Sequence, residues 1–308
     1  MRVLVTGGAG FIGRWVVREL LARGHEVVAY DNLSSGSLRN IAEFRGNRRF
    51  RFVRGDLLDE RRLRAAFRGV DACVHLAAQI NVQRSIDGPE ETFRINVDGT
   101  FNVLEECRRR DARLELVGTC LVYDTSDGRP IGEDHPLKPA SPYAASKLVG
   151  EELALSYYRA YGLPVVVTRP FNTYGPFQRS DSEGGVVSIF IERKLRGKPL
   201  LIYGDGKQTR DFLYVEDCAD FIVRSLMSRR AVGEVINAGT GRDVEINRLA
   251  LMICGDRRMI RHVPHPHPQA EIRKLVCDYS KAKRLLGWKP KTSLEDGIRK
   301  TEEWMRGR

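Results

Sequence analysis

Hydrophobic positions in the first half of the chain fall into short runs rich in β-branched residues, separated by longer stretches of helical period. RVLV (2–5), EVVAYD (26–31), RFVRGDL (51–57), DACVHLAA (71–78), RLELVGT (113–119) and PVVVTRP (164–170) read as strands. Helical patterns run from Phe11 to Arg23 and from Asn96 to Arg110, and another helix opens at Pro142. Strands that look buried on both sides, alternating with helices, predict an α/β fold: a doubly wound parallel sheet covered by helices on both faces. After Pro170 the rhythm turns irregular, with loops such as FNTYGPFQRSDSEGG and YGDGKQTRDF between shorter elements. Residues 1–170 are therefore expected to form the sheet domain and 171–308 a smaller lobe closing over a ligand, with a strand near 233–239 returning to the sheet.

Composition narrows the class. The chain has 308 residues, of which 42% are hydrophobic, enough for a real core, and no stretch of like charge or low hydrophobicity suggests disorder. Six widely spaced cysteines without a CxxC pair suit reduced thiols in a cytoplasm. No apolar run is long enough to span a membrane. The formal charge of +11 comes from arginines scattered among acids along helical segments such as DERRLRAAFRG, so a solvated basic surface is expected and nucleic acid is not.

The candidate chemistry begins at VTGGAGFIG, where Gly7, Gly10 and Gly13 lie between the first strand and the first helix. Such a turn brings backbone close to a ligand, and the helix N-terminus offers free N–H groups and partial positive charge to a pyrophosphate. Asp31, ending the second strand, is placed to accept both hydroxyls of an adenosine ribose and would repel a 2′-phosphate. NAD is the cofactor this predicts.

In SPYAASK, Ser141 suits a helix N-cap and Pro142 the first helical position, which puts Tyr143 and Lys147 one turn apart on one face. A phenol with an ordinary pKa of about 10 is a poor base at neutral pH, and the expectation is that the lysine ammonium pulls it down. Thr119, at the end of the fifth strand, is expected to face Tyr143 and pass a hydrogen bond between it and a substrate hydroxyl. Cys120 sits beside it, either as an acid or as a small packing residue.

Taken with TGGAGFIG, DNLSSG, GDL (55–57), HLAAQ (75–79), NVDGTFNVLE, TCLVY, RPFNTYGP, GDGKQTRDFLYVED and SKAKRLLGWKP in that order, these residues make the chain resemble an extended short-chain dehydrogenase/reductase. The resemblance is to the nucleotide-sugar epimerase/dehydratase type related to UDP-glucose 4-epimerase, and it covers nearly the whole length. It implies a Rossmann domain in which Phe11, Ile12, Asn32, Ala77, Ala78, Asn96 and Pro170 join the glycines, Asp31, Tyr143 and Lys147 around NAD, with Asp56 and Leu57 flanking the adenine. It implies that Gln79, Asn172 and Arg210 contact the sugar nucleotide, the last two at its diphosphate, a task suited to arginine geometry. It also implies a homodimer through the helices around 90–110 and 141–160.

The same resemblance frames the departures. Dehydratases of the 4,6 type carry Asp and Glu where this chain has Cys120 and Leu121, so elimination lacks its expected base. The expected activity is a 4-epimerase acting on a UDP-sugar such as UDP-glucose, UDP-galactose or UDP-glucuronate through a transient 4-keto intermediate. A dehydratase of 5,6 or 4,6 type using Cys120 as acid, or a uronate decarboxylase, is the alternative. A noncatalytic NAD-binding or nucleic-acid-binding protein is more distant, because Tyr143 and Lys147 are both present. Where relatives hold a late phosphate-gripping arginine, His267 or Arg273 stands in, and Arg179 lies where some relatives bind a uronate carboxylate. His262, His265 and His267 invite a metal reading, but prolines keep that stretch extended and alternate the directions of the rings, nearby carboxylates and cysteines show no ligand spacing, and no metal is expected. His75 is assigned to the sheet end, not to acid–base work.

Overall fold

The computed structural model describes residues 1–181, 185–265 and 268–307. The first part runs β1 (Arg2–Thr6), α1 (Phe11–Ala22), β2 (Glu26–Asp31), β3 (Phe50–Arg54), α2 (Glu60–Ala66) and β4 (Ala72–His75). It continues through α3 (Val82–Asp87), α4 (Pro89–Phe93), α5 (Gly99–Arg110), β5 (Arg113–Val117), α6 (Pro142–Tyr161) and β6 (Val165–Pro170). Then follow β7 (Asn172–Tyr174), α7 (Val186–Leu195), β8 (Leu200–Tyr203), β9 (Thr209–Tyr214), α8 (Val215–Met227) and β10 (Val235–Ala238). The chain closes with β11 (Asp243–Glu245), α9 (Ile246–Cys254), β12 (Ile260–Val263), α10 (Ser280–Leu286) and α11 (Leu294–Arg306).

Seven strands form a parallel sheet in the order β10-β6-β5-β4-β1-β2-β3. Alternate residues of each strand feed two separate cores. Val3, Val5, Val27 and Ala29 pack with Val16, Val17 and Leu20 of α1 and Phe221, Ile222 and Leu226 of α8. Leu4, Val28, Cys73, Leu114, Leu116, Val165 and Val167 pack on the other face with Val103, Leu104 and Cys107 of α5 and Ala154 and Tyr157 of α6. Strands buried on both faces explain why the sequence shows apolar runs and not a polar alternation. A third core, built from Phe190, Leu200, Ile202, Phe212, Tyr214, Leu249 and Ile253, holds a small lobe in which β9 pairs with β7 and β11, and β12 with β8. Strand β10 and helix α8 return from the second half of the chain to the large sheet. Among the described residues no helix is long and apolar enough to cross a membrane.

The helix expected to open at Asn96 differs in detail. α5 begins at Gly99, and Arg94–Asp98 form a wider π-type turn that joins it to α4. The extra residue rotates Asn96 inward, a distortion typical of functional positions. Its Nδ2 donates to Ser146 Oγ at 2.9 Å and to the Gln79 carbonyl at 3.0 Å.

Candidate active site

The sheet order reverses beside β1: the chain goes from β1 outward to β2 and β3, then returns across β1 to β4. A crevice opens at the C-terminal ends of strands at such a switch point. Gly7 lies there with φ +67, and a methyl group built on it would sit 2.9 Å from the Ala77 nitrogen after β4. A methyl group on Gly13 would come within 2.0 Å of the Gly7 carbonyl oxygen, so the turn closes only with hydrogen at both places. Gly10 is the N-cap of α1 and no side chain caps the helix, which leaves first-turn N–H groups at Phe11 and Ile12 for an anion. Asp31, buried at the end of β2, accepts from the Ala9 N–H at 3.0 Å and the Leu33 N–H at 2.8 Å. Burial pushes its carboxyl pKa up and the two backbone donors pull it back. Asn32 Nδ2 donates to Asp56 Oδ2 at 2.8 Å, and Leu57, next along, packs against Gly99 at the opening of α5. Ala78 is half-buried beyond Ala77, and Pro170 is buried at the end of β6. This cradle, closed to any Cβ and ending in a carboxylate, fits a dinucleotide.

On α6, Ser141 caps the helix by accepting from the Ala144 N–H at 3.2 Å, and Pro142 takes the first position. That orients Tyr143 into the end of the sheet, where it is 8% exposed. Thr119, the N-cap of a short turn over Cys120–Val122, presents its hydroxyl to the phenol. The expectation for the lysine needs correction. Tyr143 is pushed up to about 12 by burial and not pulled down: the Thr119 hydroxyl opposes the rise, and Cys120 and Glu151 reinforce it. Instead the Lys147 ammonium donates to the Val117 carbonyl at 2.7 Å. Burial brings Lys147 down to about 8. Tertiary burial outweighs the one-turn spacing on which the expectation rested.

Cys120 is 3% exposed, and burial pushes its thiol up to about 12, with Arg210 lowering and Asp211 raising it. The thiol therefore stays protonated at neutral pH, a weak proton donor and not a nucleophile. Its Sγ lies 4.0 Å from Asn172 Oδ1 on β7. Arg210, on β9, acts electrostatically on this thiol, donates to the Ile272 carbonyl at 2.7 Å and pairs with Glu271.

Other sequence-predicted residues are engaged elsewhere. The Gln79 amide donates to Thr92 Oγ1 at 2.8 Å and to the Asn81 carbonyl at 3.1 Å, bracing the loop after β4. Arg179 pairs with Asp181 on its own loop, and Arg273 makes a two-pronged pair with Asp205 at 3.1 and 3.0 Å, both on the surface. His267 lies outside the described residues. His262 contacts Asn247 at 2.9 Å and His265 contacts Glu271 at 2.6 Å, and no cluster of three metal-binding side chains occurs among the described residues. His75 sits between the Thr6 and Thr100 hydroxyls at 2.7 and 3.1 Å, with its pKa brought down to about 3 by burial. Sequence reasoning passed over Glu151 and Arg169, a buried ion pair behind Lys147. Their signals were an acid at the same helical spacing beyond Lys147 and an arginine inside an apolar strand.

The model of the GDP-mannose 4,6-dehydratase family matches residues 4–301. The chain is 40% identical over 314 residues to a UDP-glucose 4-epimerase of Mycolicibacterium smegmatis, covering 100% of this chain and 99% of that one. Among solved structures it is similar to Pal from Bacillus thuringiensis, with TM-score 0.98, 55% identity and coverage of 100% and 99%. It is also similar to a dTDP-glucose 4,6-dehydratase from Streptomyces venezuelae with NAD bound, with TM-score 0.94, 36% identity and coverage of 100% and 98%. A cofactor crevice at the sheet reversal, a Thr–Tyr–Lys set beside it and likeness along the full length agree: the chain belongs to the nucleotide-sugar epimerase/dehydratase branch of the extended short-chain dehydrogenases/reductases.

Proposed function

We propose that this protein is an NAD-dependent nucleotide-sugar 4-epimerase acting on a UDP-sugar. NAD supplies hydride acceptance and return at the sugar's carbon 4. Gly7, Gly10 and Gly13, with the first N–H groups of α1, hold its pyrophosphate, and Asp31 holds the adenosine ribose. Tyr143 would act as the phenolate, a form that the positive nicotinamide ring of bound NAD and the Lys147 ammonium would favour against burial; in that form it takes the proton of the 4-hydroxyl as hydride leaves, with Thr119 carrying the hydrogen bond between them. Lys147, fixed to the end of β5, keeps a positive charge beside the ribose side of the site. Arg210 grips the diphosphate once it exchanges Glu271 for phosphate oxygens. Gripping the far end of the ligand leaves the 4-keto sugar free to turn over, and Tyr143 returns the proton when hydride is delivered to the opposite face.

The observation that carries this reading is the sequence Thr119–Cys120–Leu121 at the end of β5. The hydroxyl pair that relays the proton during oxidation by NAD is present, but leucine offers no base to abstract a proton from carbon 5, so the keto sugar is expected to be reduced again rather than dehydrated. One feature favours a second reading: the protonated Cys120 thiol beside Asn172 is placed as a proton donor, which a dehydratase would use. Exposed Phe93, Phe101 and Val149 on α4, α5 and α6 support a homodimer through these helices, checked by light scattering.

The test is incubation with NAD and a panel of UDP-, dTDP-, GDP- and CDP-sugars, read by mass and NMR. An isomer of unchanged mass is expected. Loss of water gives the dehydratase, loss of carbon dioxide the decarboxylase, and no conversion of any sugar refutes the assignment.

A further inference from the structure

Glu151 lies one turn beyond Lys147 and two beyond Tyr143 on α6, on the same face. It is 0% exposed. Its Oε2 accepts from Arg169 Nε at 2.9 Å and Nη2 at 2.7 Å. Arg169, near the end of β6, also donates Nη1 to the Tyr123 hydroxyl at 2.8 Å, which donates in turn to Asn237 Oδ1 at 2.8 Å. Glu151 Oε1 has no hydrogen-bond partner among the described residues. That bare oxygen faces the turn after β5: a methyl group on Gly118 would sit 2.1 Å from it, and the preceding residue, Val117, supplies the carbonyl that receives the Lys147 ammonium. A buried carboxylate oxygen without a donor is costly, and packing gains nothing from it. Burial pushes the Glu151 carboxyl up, Arg169 holds it down, and the Lys147 ammonium one turn away is the second cation that does so.

We propose that Glu151 is a positioning residue that sets the charge state of the Tyr143–Lys147 pair through this unbonded oxygen, with Arg169 as the counter-charge that holds it in place. The inference rests on the reading of Tyr143 and Lys147 as the proton-handling pair.

The charged and titratable groups around the pair are His75 from β4, Cys120 after β5, Tyr123 beyond it, Arg169 from β6, and Glu152 on α6 itself. Unlike these, Glu151 acts on both members. It raises Lys147 against the effect of burial, and it raises Tyr143 along with burial. Removing its charge therefore moves both in the same direction, downward: the ammonium loses its counter-charge, the phenolate loses a repulsion, and Arg169 is left as an uncompensated cation. The same carboxylate faces each group, so both titrations shift. A residue that only filled space would move neither.

Titration by NMR of protein labelled with [13Cε]lysine and [13Cζ]tyrosine, with signals assigned by Lys147→Met and Tyr143→Phe, reads both groups without substrate or cofactor. Glu151→Gln, which keeps the shape and one acceptor for Arg169, is expected to lower both titrations by about one pH unit. Glu151→Asp, which keeps the charge, is expected to restore most of the shift. Should Glu151→Gln not fold, Arg169→Gln takes its place and must move both titrations together: upward if the carboxylate keeps its charge, downward if burial, no longer opposed by Arg169, protonates it. Titrations unmoved by the variant, or moving in opposite directions, overturn the inference and leave the reading of the site intact. Turnover that survives Tyr143→Phe sinks that reading instead and leaves the titration result standing.

Discussion

The strand that delivers Thr119 to the site carries an ionisable group with no role at its end. Glu115, in the middle of β5, is 0% exposed. The Thr168 and Ser225 hydroxyls face its carboxyl, but among the described residues neither oxygen receives a bond of proper hydrogen-bond geometry. Burial pushes its pKa from 4.5 up to about 8, with those hydroxyls and Arg113 pulling the other way. The sign follows from proton counting. Below the unfolded value of 4.5 both states hold the proton, and Glu115 costs nothing. Above it the unfolded chain releases the proton while the folded protein keeps it, so stability falls as pH rises, until the folded group also ionises near 8. The gap of about three and a half units, at about 1.36 kcal/mol each, amounts to about 5 kcal/mol as an upper bound. Glu115→Gln has the same shape and no charge to bury. Urea unfolding of both proteins across this range is expected to show curves that nearly coincide at the acid end. The variant then gains on the wild type by about 1 kcal/mol per pH unit, reaching several kcal/mol near pH 8. A stability difference that stays constant across this range would refute the reasoning.

Tyr143→Phe is expected to lower kcat by about a hundredfold to ten-thousandfold with the helix intact, since it removes the proton acceptor alone; circular dichroism and steady-state kinetics read the two effects separately. Cys120→Ser keeps a small polar group and is expected to hold turnover within about threefold if the enzyme is an epimerase, whereas a fall of about a hundredfold assigns the thiol a proton-transfer role. Gly13→Ala places a methyl group 2.0 Å from the Gly7 carbonyl and is expected to abolish NAD binding in calorimetry while the sheet stays folded.

Much of the fold and part of the site can be read from local pattern. Apolar runs of strand length between helical periods identify a parallel sheet, because both faces of such strands must be covered wherever they end up. Gly7, Gly10, Gly13 and Asp31 declare a cofactor turn because its constraint is a matter of neighbouring backbone atoms. Ser141 and Pro142 start α6 where the capping rule puts the start, and Tyr143 and Lys147 share a face by helical geometry alone. Motif order along the chain identifies the family.

Other features depended on which distant segments meet. The direction of the Lys147 ammonium, toward Val117 and not the phenol, follows from β5 passing beneath α6. Arg179 and Arg273 are candidates by position in the chain, yet each finds an acid beside it on the surface. Gln79 is taken up by Thr92, across the turn that brings α4 back over it. Glu151 and Arg169 form one buried pair from two elements and are visible only once those elements pack. The division has a physical cause. Backbone geometry, caps and hydrophobic period act over a few residues and are written in the sequence as such, so it determined the sheet, the glycine turn and the helix that carries Tyr143 and Lys147. Desolvation and Coulomb forces depend on distance through space and on burial, so the charges of Tyr143, Lys147, Cys120 and Glu115 were decided only by the tertiary structure.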